Sequence, residues 1–386
     1  MLESIPKFPV AKRRWVTPWS RLSASPLYDL SWKAVRPVLD FTLGIHTTIP
    51  TRGILMRLSI VSVALLSCLA SACSPQTDSA DAGHNAEHPS ESPIRIRIPD
   101  TRFTGILPMY IAEEKGMLEE NGLEAQWIDV RDPGQGTKLL IAGQADLIMT
   151  TFANILPVEA RKPGSLRLLF PASETRSDPV SYILVRPDST IKSLADLGGR
   201  TLGTYSGPSQ KAYALIVLEK LGYREPEDVR LVQVATAAQV QGLFGGAYDA
   251  LFTVEPYASI ALEQGARSIA TGVRTALISD PFWLGAAAVP SDVASAQPSL
   301  IPKLLRALDE AARYIGAHDA ESREVLARRT GTDDAVAKRS ALYNWVAYPS
   351  ADQLDQIQDA VDLLHRENMI DAPVDVHTLF VGSDLE

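Results

Sequence analysis

The stretch DSTIKSLADLGGRTLGTYSGPSQKAYALIVLEKLG, residues 188–222, carries the pattern that decides the fold class. Its apolar run at 201–204 reads as a strand, and 210–221 places apolar residues at helical spacing. Between them stands the loop Tyr205-Ser206-Gly207-Pro208-Ser209-Gln210. A strand that runs through a glycine-containing loop into a long helix is the repeating unit of an α/β domain. Such a loop aims free N–H groups and the positive end of the helix dipole beyond the strand's carboxyl end. Tyr205, Ser206, Gly207, Ser209 and Gln210 are therefore the strongest candidates for contact with a carboxylate, sulfonate or similar anion. Ser209 also suits ordinary helix capping, which is compatible with binding.

The same alternation extends in both directions. Upstream, strands are expected at 94–98, 124–130, 146–149 and 166–170, with helices at 107–120, 135–142 and 153–161; Gly122 is placed to cap the first of these helices. Around the opening stretch lie strands at 182–185, 230–232, 250–252 and 268–270 and helices at 192–196, 237–244 and 256–264. A strand at 283–289 returns to the first set, and helical spacing then dominates at 300–315, 320–329, 334–345 and 352–366. The expected architecture is α/β with mostly parallel sheets in two lobes, a hinge and C-terminal helices that brace the first lobe. Lobe 1 comprises 94–180 plus 283–386, lobe 2 comprises 181–270, and 271–282 is the hinge crossover. Open α/β sheets bind ligands in the crevice beyond their strands' carboxyl ends.

Composition narrows the function. An apolar fraction of 46% over 386 residues suffices for sizeable cores, and the formal net charge of -9 opposes a nucleic-acid partner. The two cysteines, Cys68 and Cys73, both precede the folded part, so a disulfide framework, thiolate metal site or cysteine nucleophile is not expected there. The histidines His46, His84, His88, His318, His365 and His377 are scattered, which disfavours a metal site. No catalytic residue, metal or cofactor is expected, and no GxSxG, P-loop or GxGxxG stands in a suitable context.

Met56-Arg57 followed by the apolar run 58–72 fits a signal peptide, too short to span a bilayer comfortably. Ala72 precedes Cys73, and a polar tract follows; this resembles a bacterial lipoprotein signal with Cys73 as the lipidated residue. Ala70 departs from the Leu that this pattern prefers, Cys68 is the rival attachment point, and a plain cleaved secretory signal or a non-cleaved anchor is the alternative. The reading divides the N-terminus into a mis-assigned or disordered extension at 1–55, the signal at 56–73 and a flexible tether at 74–93.

Further candidates lie where strands end at the crevice. Thr104 and Gly105 follow the first strand, and Gly105 either lets backbone approach a ligand or forms a tight turn. Thr150, Thr151 and Asn154 follow the third strand and either cap the next helix or bond a ligand. Glu255 before Pro256 either accepts from a ligand amine or hydroxyl or favours a helix start. Phe282 and Trp283 either stack on a ligand or pack at the hinge.

GILPMYIAEEKGMLEENGLEAQW at 105–127, GQADLIMTTFANIL at 143–156, the opening stretch and YDALFTVEPYAS at 248–259 together resemble periplasmic substrate-binding proteins of ABC importers. The resemblance is to the nitrate, sulfonate, taurine and thiamine-precursor group and covers roughly 290 residues. It implies a type II-like periplasmic binding fold, a small-molecule ligand, permease and ATPase subunits as membrane partners, a monomer, and a lipid-anchored location in the periplasm or cell envelope. A thiamine-precursor synthase-like enzyme of the same fold, or a ligand-sensing ectodomain, is the alternative. Glu255 would favour an amine-bearing or pyrimidine-like ligand over a purely anionic one.

Overall fold

Alternating apolar residues in Ile94–Asp100 (β1) bury one face, and the strand pairs in parallel with β2 (Leu123–Asp129) as a two-stranded sheet. The computed structural model describes residues 92–381, all within the unit Gly83–Glu386. The expected extension, signal, both cysteines and the tether as far as residue 91 lie outside the described residues. None of the described helices is long and apolar enough to cross a membrane.

Between β1 and β2 the chain forms α1 (Leu107–Glu114) and α2 (Met117–Glu120). The single helix expected over 107–120 is broken at Gly116, whose φ of 77° lies in the left-handed region that interrupts a helix. α3 (Pro133–Ile141), capped by the Asp132 side chain accepting from Gln135 N, leads to β3 (Ile148–Thr151), α4 (Phe152–Arg161) and β4 (Leu166–Glu174). Then follow β5 (Ser181–Val185), β6 (Thr201–Tyr205), α5 (Pro208–Lys220), β7 (Arg230–Val234), α6 (Gln239–Phe244), β8 (Ala250–Val254), α7 (Tyr257–Glu263) and β9 (Arg267–Thr271). The short helix expected at 192–196 is a 3-10 turn, Leu194–Leu197, held by a reciprocal Ser193 and Asp196 capping box.

The remaining chain holds α8 (Val273–Leu277), β10 (Phe282–Pro290), α9 (Ser291–Ala296), α10 (Leu300–Ala317), α11 (Asp319–Thr330), α12 (Asp334–Arg339), β11 (Asn344–Trp345) and α13 (Ala351–Arg366). Here the expected helix over 334–345 is corrected. It stops at Arg339, and Asn344 and Trp345 instead pair with Ser173 and Ala172 at the edge of β4. Helical spacing was present, but the edge of β4 offered backbone partners that a continued helix would have left unpaired.

Strands β11-β4-β10-β3 form a four-stranded sheet, and β7-β6-β8-β5-β9 form a five-stranded one. The expectation of mostly parallel sheets is also corrected. β10 runs antiparallel to β3 and β4, and β5 runs antiparallel to β8 and β9, whereas β6 pairs in parallel with β7 and β8. β5 and β10 are the strands on which the chain enters each sheet from the other; β5 runs against the other four strands of its sheet, whereas β10 shares its direction with β11 and opposes β3 and β4. Because β8 and β10 are central, covered on both faces, their sequences ALFTV and FWLGAAAVP are nearly continuously apolar.

α10 buries Leu300, Leu304, Leu305, Leu308, Ala311 and Ile315 in the core it shares with α1, α2 and β4. Each fully buried Leu or Ile contributes about 1.5–3 kcal/mol. α11 also lies on α1, whereas α12 packs on α7, which belongs with the five-stranded sheet. One apolar cluster runs through both sheets, joining Phe152 and Leu168 to Ile183, Tyr213 and Phe252.

Candidate functional site

A cavity of about 90 Å³ lies where the two larger sheets meet. The four-stranded sheet supplies Met149, Thr150 and Thr151 from β3, Phe170 and Ala172 from β4, and Leu284, Gly285 and Ala286 from β10. From the five-stranded side come Tyr205, Val254, the start of α5 and Tyr213. Arg274 of α8 and Tyr343, from the loop before β11, complete the wall.

The expected strand-end loops reach this cavity. Gly105, Thr150, Thr151, Asn154, Tyr205, Ser206, Gly207, Ser209 and Gln210 all line it. Gly207 has φ 146°, a conformation that suits glycine, and its position as N-cap of α5 brings no side-chain cap. Neither hydroxyl considered for capping caps its helix. Thr151 makes no side-chain bond to the start of α4; its Oγ1 donates to Ser209 Oγ at 2.8 Å, across the join between the sheets. Asn154 Nδ2 donates to Thr150 Oγ1 at 3.1 Å, and the buried Gln210 donates from Nε2 to Phe252 O at 3.4 Å.

Four expected residues lie elsewhere. Thr104 is fully buried in the turn before α1, outside the cavity wall, and its Oγ1 has no hydrogen-bond partner. Glu255 is buried and faces α7: its Oε2 accepts from Ser259 N at 3.1 Å and its Oε1 from Ser259 Oγ at 3.0 Å. Its helix-start role is thus the one the geometry supports. Burial raises the Glu255 pKa above the ordinary 4.5, with bonds from Ser259, Ala341 and Ser340 pulling the other way. Phe282 stands edge-on to Tyr213, ring centroids 5.3 Å apart, behind the wall. Trp283 is buried, and its Nε1 donates to Gln356 Oε1 at 3.1 Å. Both aromatics face packing partners because β10 is central and its side chains are covered.

The sequence reading passed over the most charged part of the wall. Arg274 is 1% exposed, and its Nε donates to Glu174 Oε2 at 2.9 Å. Glu174 ends β4, and its Oε1 accepts from Val180 N, Ser181 N and Ser181 Oγ at 3.1, 3.1 and 2.7 Å. The ion pair therefore ties together both places where the chain passes between the large sheets. Burial depresses the Arg274 pKa, but the charge of Glu174 and the hydroxyls of Tyr343 and Tyr205 more than offset it, and the net shift is upward. Arg274 Nη2, also buried, has no hydrogen-bond partner. A cation in the apolar context of 272–277 was the available signal, lost because that segment read only as a crossover.

Aromatic walls were missed as well. Phe103 lies against Tyr205 and Tyr257, at centroid distances of 5.6 and 6.1 Å. Phe170 adopts φ 53°, rare for a bulky residue, where the β4–β10 register shifts, and it joins the cavity wall. Burial raises the pKa of Tyr213 and Tyr343, so both phenols stay neutral at physiological pH. Gly285 is fixed by packing: a Cβ there would lie 2.0 Å from Thr150 O. Among the lining residues the ionisable side chains are Asp132, Arg274 and the tyrosines Tyr205, Tyr213 and Tyr343, and Asp132 is engaged as the α3 cap. This set offers hydrogen bonds, one cation and apolar surface.

Comparison with known proteins places this geometry in a family. The "Putative thiamine biosynthesis protein" of Haemophilus influenzae is 26% identical over 55% of this chain and 65% of its own length. The "Putative aliphatic sulfonates-binding protein" of Escherichia coli is 28% identical over 45% of this chain and 53% of its own. The chain thus spans less than two thirds of either curated relative. The crystal structure of the periplasmic aliphatic sulphonate binding protein SsuA from Escherichia coli superposes with a TM-score of 0.61 at 21% identity, covering 75% of this chain and 97% of that one. The desulfurization enzyme DSZB gives 0.59 at 19% identity, covering 75% and 96%. The fold is accordingly the α/β fold of periplasmic binding proteins. Residues 104–322, more than half of the chain, match the family described as NMT1/THI5 like, and the chain belongs to that family.

Proposed function

We propose that this protein is the extracytoplasmic solute-binding component of an ABC importer. It captures a small molecule between two lobes, one built on the four-stranded sheet and one on the five-stranded sheet, and delivers it to a membrane permease. The observation that carries the reading is the shared cavity, whose walls come from both sheets and are linked across the join by the Thr151–Ser209 hydrogen bond. Two sheets connected near 174–181 and 271–282 are suited to hinge closure over a ligand. The names of the sulfonate-binding relatives support a transport role. The lining set supports binding over turnover: its one carboxylate caps a helix, and neither thiol nor imidazole is among its side chains. On this reading the signal at 56–73 exports the chain, and Cys73 carries the lipid anchor.

Thermal-shift screening of protein starting at Ser74 against sulfonates, nitrate, taurine and pyrimidines tests the proposal, because a ligand that binds the native state raises the melting temperature. The expected result is a rise with at least one class and recovery of that compound unchanged by mass spectrometry. Chemical conversion of a stabilising compound would overturn capture in favour of an enzyme.

A further inference from the structure

Phe103 is a large aromatic side chain outside the cores. It is half-buried, joins none of the apolar cores formed by the described residues, and lines the cavity. Its ring lies instead against two tyrosines on the side of the five-stranded sheet. These are Tyr205, which ends β6, at a centroid distance of 5.6 Å, and Tyr257, which opens α7, at 6.1 Å. Phe103 itself follows β1, on the side of the four-stranded sheet: Asp146 N and Leu147 N, just before β3, both donate to Arg97 O of β1. Neither β1 nor β6 carries a crossover, since the chain passes between the large sheets from β4 to β5 and from α8 to β10. The aromatic contact is thus a separate tie between the two sides of the cavity, made on strands that the hinge does not hold together.

The backbone before Phe103 is bent to present it. Arg102 adopts φ 52°, uncommon for a residue with a Cβ, and such a conformation persists only where its surroundings enforce it. Here Arg102 N donates to Asp100 Oδ1 at 3.1 Å and Arg102 Nη2 to Asp129 Oδ1 at 2.6 Å, while Asp100 also accepts from the Tyr110 hydroxyl. These bonds fix the turn from which Phe103 reaches the two tyrosines, so little further ordering is needed to make the contact. Resting on the capture reading and adding its control, we propose that Phe103 is a clasp: packed on Tyr205 and Tyr257, it holds the lobes shut over the cavity, and its withdrawal admits or releases the ligand. A contact made in the shut form and lost in the open one shifts the balance toward shut by its own free energy and no more. Two half-buried aromatic pairs suit a tie that favours closure and still breaks in each cycle.

Thiol trapping reads the opening without any ligand. Protein starting at Ser74 keeps the compact unit Gly83–Glu386 whole and contains no cysteine, so an introduced thiol is unique. Ala286→Cys places it in the cavity wall, where Ala286 is 4% exposed; Ala287→Cys places it one residue on, fully buried in the core with Leu107 and Leu304. Opening of the lobes exposes position 286 alone, whereas global unfolding exposes both. A thiol that reacts only from an open form is alkylated in proportion to that form's population. Phe103→Ala is expected to speed alkylation at 286 by about 10-fold, the range of one or two aromatic pairs. The gain should be alike for small iodoacetamide and bulky fluorescein maleimide, with the rate at 287 unchanged. Phe103→Tyr, which keeps the ring, should stay within about 3-fold of the parent at 286. Equal acceleration at 286 and 287 would assign Phe103 to general stability, and acceleration with iodoacetamide alone would make it a plug whose loss leaves a hole; either overturns the clasp. So would an unchanged rate at 286, or Phe103→Tyr reacting as fast as Phe103→Ala. Each of these results leaves capture standing, because the thermal-shift screen decides capture separately.

Discussion

Replacing Arg274 by Met is the most informative single perturbation of stability. Arg274 and Glu174 have side chains 2% and 0% exposed, joined at 2.9 Å. Removing the guanidinium leaves the Glu174 carboxylate buried; Oε1 keeps its three donors, whereas Oε2 loses the one bond recorded for it. Breaking a buried pair by deleting one partner costs about 3–5 kcal/mol. The lower end applies here, because half of the carboxylate stays hydrogen-bonded and the lost Nη2 was itself without a partner. With about 2–4 °C per kcal/mol for a domain of this size, a loss of about 3 kcal/mol lowers the melting temperature by roughly 6–12 °C. Urea denaturation followed by circular dichroism gives the comparison, with a lower midpoint at unchanged slope. Adding Glu174→Gln to Arg274→Met should restore part of the loss, since no buried charge then lacks a partner. The reasoning fails if Arg274→Met stays within about 1 kcal/mol of wild type, or if the two substitutions add without interaction.

Two further outcomes are expected. Gly285→Ala places a Cβ 2.0 Å from Thr150 O and 2.6 Å from Thr151 Cα, atoms of backbone that cannot swing aside; forcing β3 from β10 should cost about 1–3 kcal/mol in the denaturation midpoint and weaken any ligand held by Thr150 or Thr151. The raised pKa of Glu255 means that its protonated form favours the fold. This contribution is fully present below the ordinary 4.5 and is lost as pH rises through the raised folded value. Glu255→Gln should therefore flatten the fall in stability above pH 4.5, and an unchanged slope would exclude Glu255 as its source.

Local chemistry made much of this protein legible. Period-2 and period-3.6 apolar patterns located nearly every strand and long helix, and loops such as 205–210 and 150–154 were identified as cavity-facing because a strand-to-helix turn exposes backbone N–H groups wherever it occurs. What periodicity could not convey was partnership at long sequence separation. β5 and β10 run antiparallel because of where the chain crosses between sheets, and Asn344–Trp345 is a strand because the edge of β4 is beside it. Thr151 and Ser209 each read as a cap from its neighbours, and folding brings them, 58 positions apart, into a bond with each other. Arg274 is the sharpest instance: its identity was plain in the chain, but its burial, its pairing with a carboxylate 100 positions away and its unanswered N–H exist only after packing has removed the water that would otherwise have satisfied all three.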